Sequence, residues 1–508
     1  MSRSAAVVCT LLSAAGYGLA FPPLGWHLVA WVTLVPFLLA LRGSGVRRAA
    51  VLGVLWGIAA AYSVGTWMPV AVTRYYQQPV AIGIAAFLLC AVVTVVPYTV
   101  AFALLYRRIA ARSGALEPLL AAAAWTASEL WRALSPAGNP WSLLGYTQVP
   151  VLPVVQIADL GGVFAVCFAV ATVNAALAGL LAARRGPRPA WPAALRGAAV
   201  AAGVLTFTLV HGALRLRAAP DDPGATPIAV VQGDLDLGSQ WRPELYGENL
   251  AAYLRLTDAA LERRPATLVV WPENALSFFL EEERTYRVAI ASVLTAHGAE
   301  LLTGGPRTVR ATRGEAREPR YLNAAFVLGA HGEIDAVYEK RHLVPFAEYF
   351  PLPALDVLKR RFGRVREFSP GERQDPLPTA AGAAGIMICN EALYGEVAAE
   401  RVRHGAGLLV NLTNDGWVGE ESYAAIAYAM SRLRAVETRR WLVRSSTSGP
   451  SAVIDPYGRV TAEAPLDRQT VIEAAVTARD GMTPYTRFGD VFGWACALVA
   501  VVAAARRA

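Results

Sequence analysis

The feature that most constrains this chain is a series of stretches of nearly uncharged apolar residues, at roughly 5–20, 26–41, 49–68, 80–106, 116–134, 154–183, 194–213 and 488–505. A helix of about 20 apolar residues crosses the roughly 30 Å hydrocarbon layer of a bilayer. Eight such stretches predict eight transmembrane helices. Between 227 and 480 the polarity is that of an ordinary globular domain, so two regions with different solvents are expected. Residues 1–213 form a bundle of seven helices, 214–487 a water-facing domain, and 488–508 a final helix with a short tail. The first stretch, which follows Arg3, also reads as a cleaved signal peptide ending near Ala20. The other seven still require a membrane.

A net charge of +8 would suit a nucleic-acid ligand, but its placement points elsewhere. Arg42, Arg47 and Arg48 follow the second stretch, Arg107, Arg108 and Arg112 the fourth, Arg184, Arg185, Arg188 and Arg196 the sixth, and Arg506 and Arg507 the eighth. The alternate loops are nearly free of basic residues, with Arg74 alone between the third and fourth stretches. This is the positive-inside pattern: both termini are expected to be cytoplasmic and 214–487 to lie outside the cytoplasm, which in a bacterium means the periplasm or the outer membrane face. No nucleic-acid partner is expected. Glu129 and Arg132 stand three apart near the outer end of the fifth stretch. They read either as a pair with a function or as side chains snorkelling to the interface.

The polar region reads as α/β. Short apolar runs at Ile228–Gln232, Leu268–Trp271, Glu300–Thr303, Ala324–Leu328, Ile386–Cys389 and Leu408–Asn411 suggest buried strands. Helical periodicity fills Glu244–Arg264, Glu281–His297 and Ser422–Arg440. A sheet covered by helices on one face follows, with functional groups expected where strands end. Ala452–Asp455 reads as a strand running into a turn at Pro456-Tyr457-Gly458.

Four of the five cysteines lie within apolar runs and read as small hydrophobes; only Cys389 falls in the polar region. No CxxC or HxxxH spacing is present, so neither a metal site nor a disulfide framework is expected, and no cofactor. Gly385-Ile-Met-Ile-Cys389-Asn390-Glu391 delivers a thiol from an apolar strand into a polar turn. The segment by itself equally suits a core cysteine. A nucleophilic cysteine needs a base and a group to stabilise the oxyanion. Glu273, at the end of Leu268-Val-Val-Trp-Pro-Glu273, would emerge at the same sheet edge with its pKa raised by desolvation, or else serve as a first-turn helix acid. Only Lys340 and Lys359 are lysine in a chain otherwise using arginine. A compact ammonium at Lys340 suits a tetrahedral oxyanion better than a guanidinium does, although a solvated surface charge is the plainer reading. His342 and His404 keep open a Cys-His arrangement, but neither ends a predicted strand.

The segments Trp271-Pro-Glu273, Tyr338-Glu-Lys-Arg-His-Leu-Val-Pro-Phe-Ala-Glu348 and Ile388-Cys-Asn-Glu391, in this order, resemble the Glu, Lys and Cys motifs of the nitrilase superfamily. With eight spans and the domain inserted before the last, the whole chain resembles the apolipoprotein N-acyltransferase family. That resemblance implies an αββα sandwich on the helix bundle, with Glu273 as general base, Lys340 as oxyanion stabiliser and Cys389 as nucleophile. It also implies supporting roles for Glu348 and Glu391 and an aromatic near the acyl chain at Trp241. The implied reaction is ping-pong. Cys389 takes an acyl chain from a phospholipid, typically phosphatidylethanolamine, and passes it to the amine of a diacylglyceryl-cysteine lipoprotein, the enzyme acting as a monomer. Asn390 stands where the family often has tyrosine, and Val418, after Asn414-Asp-Gly-Trp417, where phenylalanine is common. These departures bear on substrate positioning rather than on the reaction class. Trp241, Phe346, Tyr349, Phe350, Phe362 and Trp417 read as lining for a lipid-accessible mouth or as ordinary core. A membrane-anchored amidase, with water resolving the acyl-enzyme, and a ligand-binding membrane scaffold are the rival readings.

Overall fold

The computed structural model describes residues 1–111, 114–135, 139–185, 190–219, 224–235, 243–309, 319–350 and 367–505. Its amino-terminal α-helices are α1 (Arg3–Leu19), α2 (Val35–Leu41), α3 (Val46–Gly65), α4 (Trp67–Arg74), α5 (Val80–Thr94), α6 (Val96–Ala110), α7 (Glu117–Leu134), α8 (Leu152–Val155), α9 (Ala158–Arg185) and α10 (Trp191–Arg217). Among the described residues, four helical stretches are long and apolar enough to cross a membrane: Val46–Gly65, Val80–Ala110, Ala158–Arg184 and Trp191–Arg217. Arg3–Leu19, His27–Leu41 and Val491–Ala505 are apolar but shorter. The difference from eight has local causes. The second stretch opens with a 3-10 turn at His27–Trp31, and α7 carries Glu117, Glu129 and Arg132. Inside the bundle Trp56 meets Tyr17, Phe37 and Trp125 at centroid distances of 5.2, 5.5 and 5.3 Å. Leu12, Leu28, Leu89, Phe207 and Leu498 point outward, as expected of a surface solvated by lipid.

The second region holds two six-stranded sheets, not the single sheet that hydrophobic runs suggested. The first has the order β12-β1-β2-β3-β4-β5, from Thr226–Gln232 (β1), Leu268–Val270 (β2), Glu300–Val309 (β3), Arg320–Leu328 (β4), Ile334–Glu339 (β5) and Thr470–Val476 (β12). The second runs β11-β10-β9-β8-β7-β6, from Leu377–Thr379 (β6), Gly382–Ile388 (β7), Leu408–Thr413 (β8), Leu442–Ser446 (β9), Ala452–Ile454 (β10) and Val460–Glu463 (β11). β1, β2 and β3 are parallel, as are β7, β8 and β9. Ile228, Val270 and Tyr338 of the first sheet share one buried cluster with Ile386, Val410 and Val443 of the second. Such strands are buried on both faces, which is why they read as continuous apolar runs. On its other face the first sheet packs α11 (Tyr246–Arg263) and α12 (Arg284–His297). The second packs α13 (Gly395–Arg403) and α14 (Glu421–Thr438). α15 (Pro484–Phe488) and α16 (Val491–Ala505) complete the chain.

The two regions are locked together at a kink in α9. Gly162 has φ of +63°, and a Cβ there would lie 2.4 Å from the Tyr485 ring. The kink frees the Val163 amide to donate to Glu437 Oε1 of α14 at 3.0 Å. One turn earlier, buried Asp159 takes His211 Nε2 at 2.9 Å, Arg215 Nε at 2.9 Å and a terminal nitrogen of Arg439 at 2.8 Å. Bundle helices and catalytic-side helix therefore share buried polar partners as well as apolar contacts.

Candidate active site

Lys340 and Cys389 follow directly on β5 and β7 and Glu273 comes three residues after β2, and the two sheets carry all three to one end of their shared core. Cys389 has φ of +55°, a left-handed conformation that a non-glycine residue adopts only when its surroundings impose it. It opens a short 3-10 turn, Cys389–Leu393, that turns the chain away from the sheet. The turn is pinned by Glu391, whose Oε1 accepts from the amides of Arg341 (2.9 Å) and His342 (3.1 Å) and whose Oε2 accepts from the Ile388 amide (2.8 Å). The Tyr338 hydroxyl donates to both oxygens at 2.8 and 2.9 Å. Glu391 thus ties the lysine segment to the cysteine segment.

The reading of Lys340 as a surface charge does not hold, because the residue is 1% exposed. Its Nζ donates to Glu348 at 2.9 Å (Oε1) and 2.8 Å (Oε2) and lies 3.7 Å from Glu273 Oε1. Nor is Glu273 a helix acid: no helix begins there. Its Oε1 accepts from Asn323 Nδ2 at 2.8 Å and its Oε2 from the Asn414 amide at 2.9 Å. Asn323 Nδ2 also reaches Glu348 Oε1 at 2.9 Å, and the Val344 amide reaches Glu348 Oε2 at 2.8 Å. The turn carrying Glu273 packs on Gly304, where a Cβ would stand 2.7 Å from the Glu273 Cα.

Two carboxylates, one ammonium and one thiol are thereby buried together, and their charges follow from that. Burial raises the Glu273 carboxyl above the ordinary carboxylate value, against the pull of Lys340, while Glu348 adds to the rise. Burial works against the charge of Lys340, but Glu348, Cys389 and Glu273 outweigh it and hold the ammonium above the ordinary lysine value. Burial, then Glu273, push the Cys389 thiol up, so it rests protonated. Of the causes acting on Glu273, the Cys389 thiol is one that favours the charged carboxylate, which makes Glu273 the candidate to take the thiol proton. His342 stacks on Tyr394 at 5.7 Å and burial lowers its pKa, and His404 caps α13; neither is hydrogen-bonded to Cys389.

The remaining expected residues divide. Glu348 and Glu391 join the site as described. Trp417 lies 5.4 Å from the Tyr75 ring and 6.0 Å from that of Tyr423, and with Asn390 lines a cavity that continues into the helix bundle. Val418 is fully buried against Ala71 and Tyr423, a close contact between α4 and the catalytic side. Phe346 is exposed, and its carbonyl accepts from the Tyr76 hydroxyl at 2.8 Å. Trp241, Lys359 and Phe362 lie outside the described residues. Sequence reasoning missed Asn323, and it missed Asn411, which holds the Met387 carbonyl at 3.0 Å and accepts from Arg444 at 2.5 Å. Both had a signal, an amide inside an otherwise apolar strand.

A family profile described as "Apolipoprotein N-acyltransferase N-terminal domain" matches residues 13–176, and one described as "Carbon-nitrogen hydrolase" matches residues 228–482. A Geobacter metallireducens protein named apolipoprotein N-acyltransferase is 34% identical over 97% of this chain and 94% of its own length. The chain belongs to the apolipoprotein N-acyltransferase family. An Azotobacter vinelandii member is 33% identical over 91% of this chain and 87% of its own length, and a Bradyrhizobium diazoefficiens member 34% identical over 77% and 73%. Its polar domain has the nitrilase-like fold of two mixed sheets with helices, and its chemistry is acyl transfer. An amidase of the nitrilase superfamily from Nesterenkonia is 19% identical over 54% of this chain and 98% of its own, with a TM-score of 0.39.

Proposed function

We propose that this membrane enzyme moves an acyl chain from a phospholipid, through a thioester on Cys389, to the N-terminal amine of a diacylglyceryl-cysteine lipoprotein. The observation that carries the reading is the buried Glu273–Lys340–Glu348 group with Cys389, whose neighbour Asn390 lines a cavity that runs into the bundle. Glu273 takes the thiol proton as sulfur attacks the ester carbonyl. A C–S bond forms, and Lys340 stabilises the oxyanion. The C–O bond then breaks, and the proton passes from Glu273 to the lysophospholipid oxygen. In the second half the amine attacks the thioester, Glu273 takes the amine proton, and the departing sulfur recovers it. Glu348 and Asn323 position Lys340 and Glu273, Glu391 fixes the cysteine turn, and Asn390, Trp417 and Trp241 bear on the acyl chain.

An inner-membrane location follows from the same reading, with eight crossings by 1–213 and 488–508 and the domain 214–487, an αββα sandwich, on the periplasmic side. The arginine clusters and the apolar exterior support it. The test is intact-mass measurement on purified protein in phospholipid micelles without acceptor. An acyl adduct is expected, absent in Cys389→Ala and Glu273→Ala and discharged by a diacylated lipopeptide. Discharge by water alone would favour the amidase reading, and no adduct on folded protein would favour a binding scaffold.

A further inference from the structure

Two buried ionic groups lie outside the reacting residues. One is on the inner wall of the cavity that Asn390 and Trp417 line, where Glu129 and Arg132 are 4% and 8% exposed. They therefore do not snorkel, and they form no ion pair with each other. Glu129 Oε1 accepts from the Leu144 amide at 2.8 Å, while its Oε2 and the Ser142 Oγ make no hydrogen bond of normal geometry. The other group is Arg444 of β9, 1% exposed and bonded through each nitrogen. Its Nε donates to the Pro450 carbonyl at 3.2 Å, one terminal nitrogen to Asn411 Oδ1 at 2.5 Å and the other to Asp415 Oδ2 at 2.5 Å. A buried guanidinium is tolerated only where such acceptors are supplied, and two of these lead to the reacting groups.

Met387, Asn411 and Arg444 are register partners across the parallel strands β7, β8 and β9, so they stand in a row. Along that row Asn411 Nδ2 donates to the Met387 carbonyl at 3.0 Å and to the Cys389 carbonyl at 3.4 Å. Those bonds help hold Cys389 in its left-handed conformation, which its surroundings must impose. Asp415, 4% exposed, also accepts from Ser446 Oγ at 2.9 Å and from Thr413 Oγ1 at 3.3 Å. The residue before it, Asn414, donates its amide to Glu273 Oε2 at 2.9 Å. Cys389 belongs to the second sheet and Glu273 to the first, so this amide is one of the bonds that key the two halves of the site together. The planar fork of an arginine suits two acceptors on different segments. We propose that Arg444 is a positioning residue, which by gripping Asn411 and Asp415 at once sets the separation of the Cys389 thiol from the Glu273 carboxylate. The inference rests on the acyl-enzyme reading above and adds to it what holds nucleophile and base in register.

The experiment compares the full chain as wild type, as Arg444→Met, and as Arg444→Met combined with Asp415→Asn. The single variant leaves Asp415 buried without its partner and is expected to unfold at a lower temperature. The double variant removes that charge and is expected to recover stability, but it restores neither grip. Thioester formation on Cys389 in phospholipid micelles, at a temperature where all three are folded, is expected to slow in both variants by roughly tenfold to a hundredfold, the scale of hydrogen bonds to charged groups. Alkylation of Cys389 by iodoacetamide across pH is the second readout, because it draws on the same proton transfer and needs no lipid. Glu273, faced by Lys340, Glu348 and Cys389, is expected to lose the Asn414 amide, which disfavours its charged form, so the acidic limb of alkylation moves to higher pH in both variants. A double variant that regains the wild-type loading rate along with its stability, or an alkylation limb that does not move, would overturn the proposal and leave Arg444 as a structural ion pair. Wild type that is alkylated but never loaded is a different failure: it would overturn the acyl-enzyme reading, and the alkylation profiles would still decide on Arg444.

Discussion

The catalytic centre and the inner wall of the cavity both bury acids, yet they treat them in opposite ways. Around Cys389 every oxygen of Glu273, Glu348 and Glu391 has a donor within 3.1 Å. Beside Arg132, Glu129 uses one oxygen and leaves the other empty-handed, as Ser142 does its hydroxyl. A carboxylate with both oxygens occupied is held firmly in place, because any movement breaks several bonds at once. Glu129 lacks that second normal hydrogen bond, so the two regions differ in how firmly they fix a buried acid.

The largest expected effect that sharpens this contrast is on turnover. Glu273→Gln is nearly isosteric but keeps only one of that side chain's two acceptor contacts and removes the base, and we expect transfer to fall about a thousandfold, far more than the accompanying loss of stability accounts for. Single-turnover loading of Cys389, read beside thermal unfolding, separates the two. If activity survives, proton acceptance lies elsewhere. Lys340→Arg comes next: a planar guanidinium cannot replace an ammonium held by both oxygens of Glu348, and a loss on the order of a hundredfold is expected in the same assay.

The acids themselves can then be compared by one substitution. Glu391→Gln places an NH₂ against amide and hydroxyl donors and is expected to lower stability by about 2–3 kcal/mol. Glu129→Gln keeps the single bond it makes and is expected to cost less than about 1 kcal/mol. Chemical denaturation of the detergent-solubilised protein measures both, and equal losses would erase the distinction between satisfied and vacant acids. The smallest effect is on pH. Since the Glu273 pKa is raised by burial and the base acts deprotonated, loading is retained at high pH and lost as pH falls through that raised value. The acidic limb should therefore lie above the ordinary carboxylate range and vanish in Glu273→Gln, leaving only the residual rate.

How much of this was legible in the chain depends on the kind of contact involved. β2 and β7 were visible because strands buried on both faces are continuous apolar runs ending in a polar residue, and those ends carried Glu273 and Cys389. β5, β11 and β12 were not, because their half-buried positions break the run. β9 is buried throughout but contains Arg444, whose charge is answered by Asp415, Asn411 and the Pro450 carbonyl, all outside the strand. With these strands hidden, the second sheet was hidden too.

Local composition by itself pointed to both lipid and water as solvents and to which thiol and acid stand at strand ends, since hydropathy and periodicity are properties of neighbouring residues. Tertiary structure decided which buried charges are paired. Asn323 bridging Glu273 to Glu348 and Glu391 tying Lys340's segment to the cysteine turn both depend on groups tens of residues apart. Hydrogen bonds and ion pairs act over a few ångströms, so only the folded path of the chain brings such partners within reach.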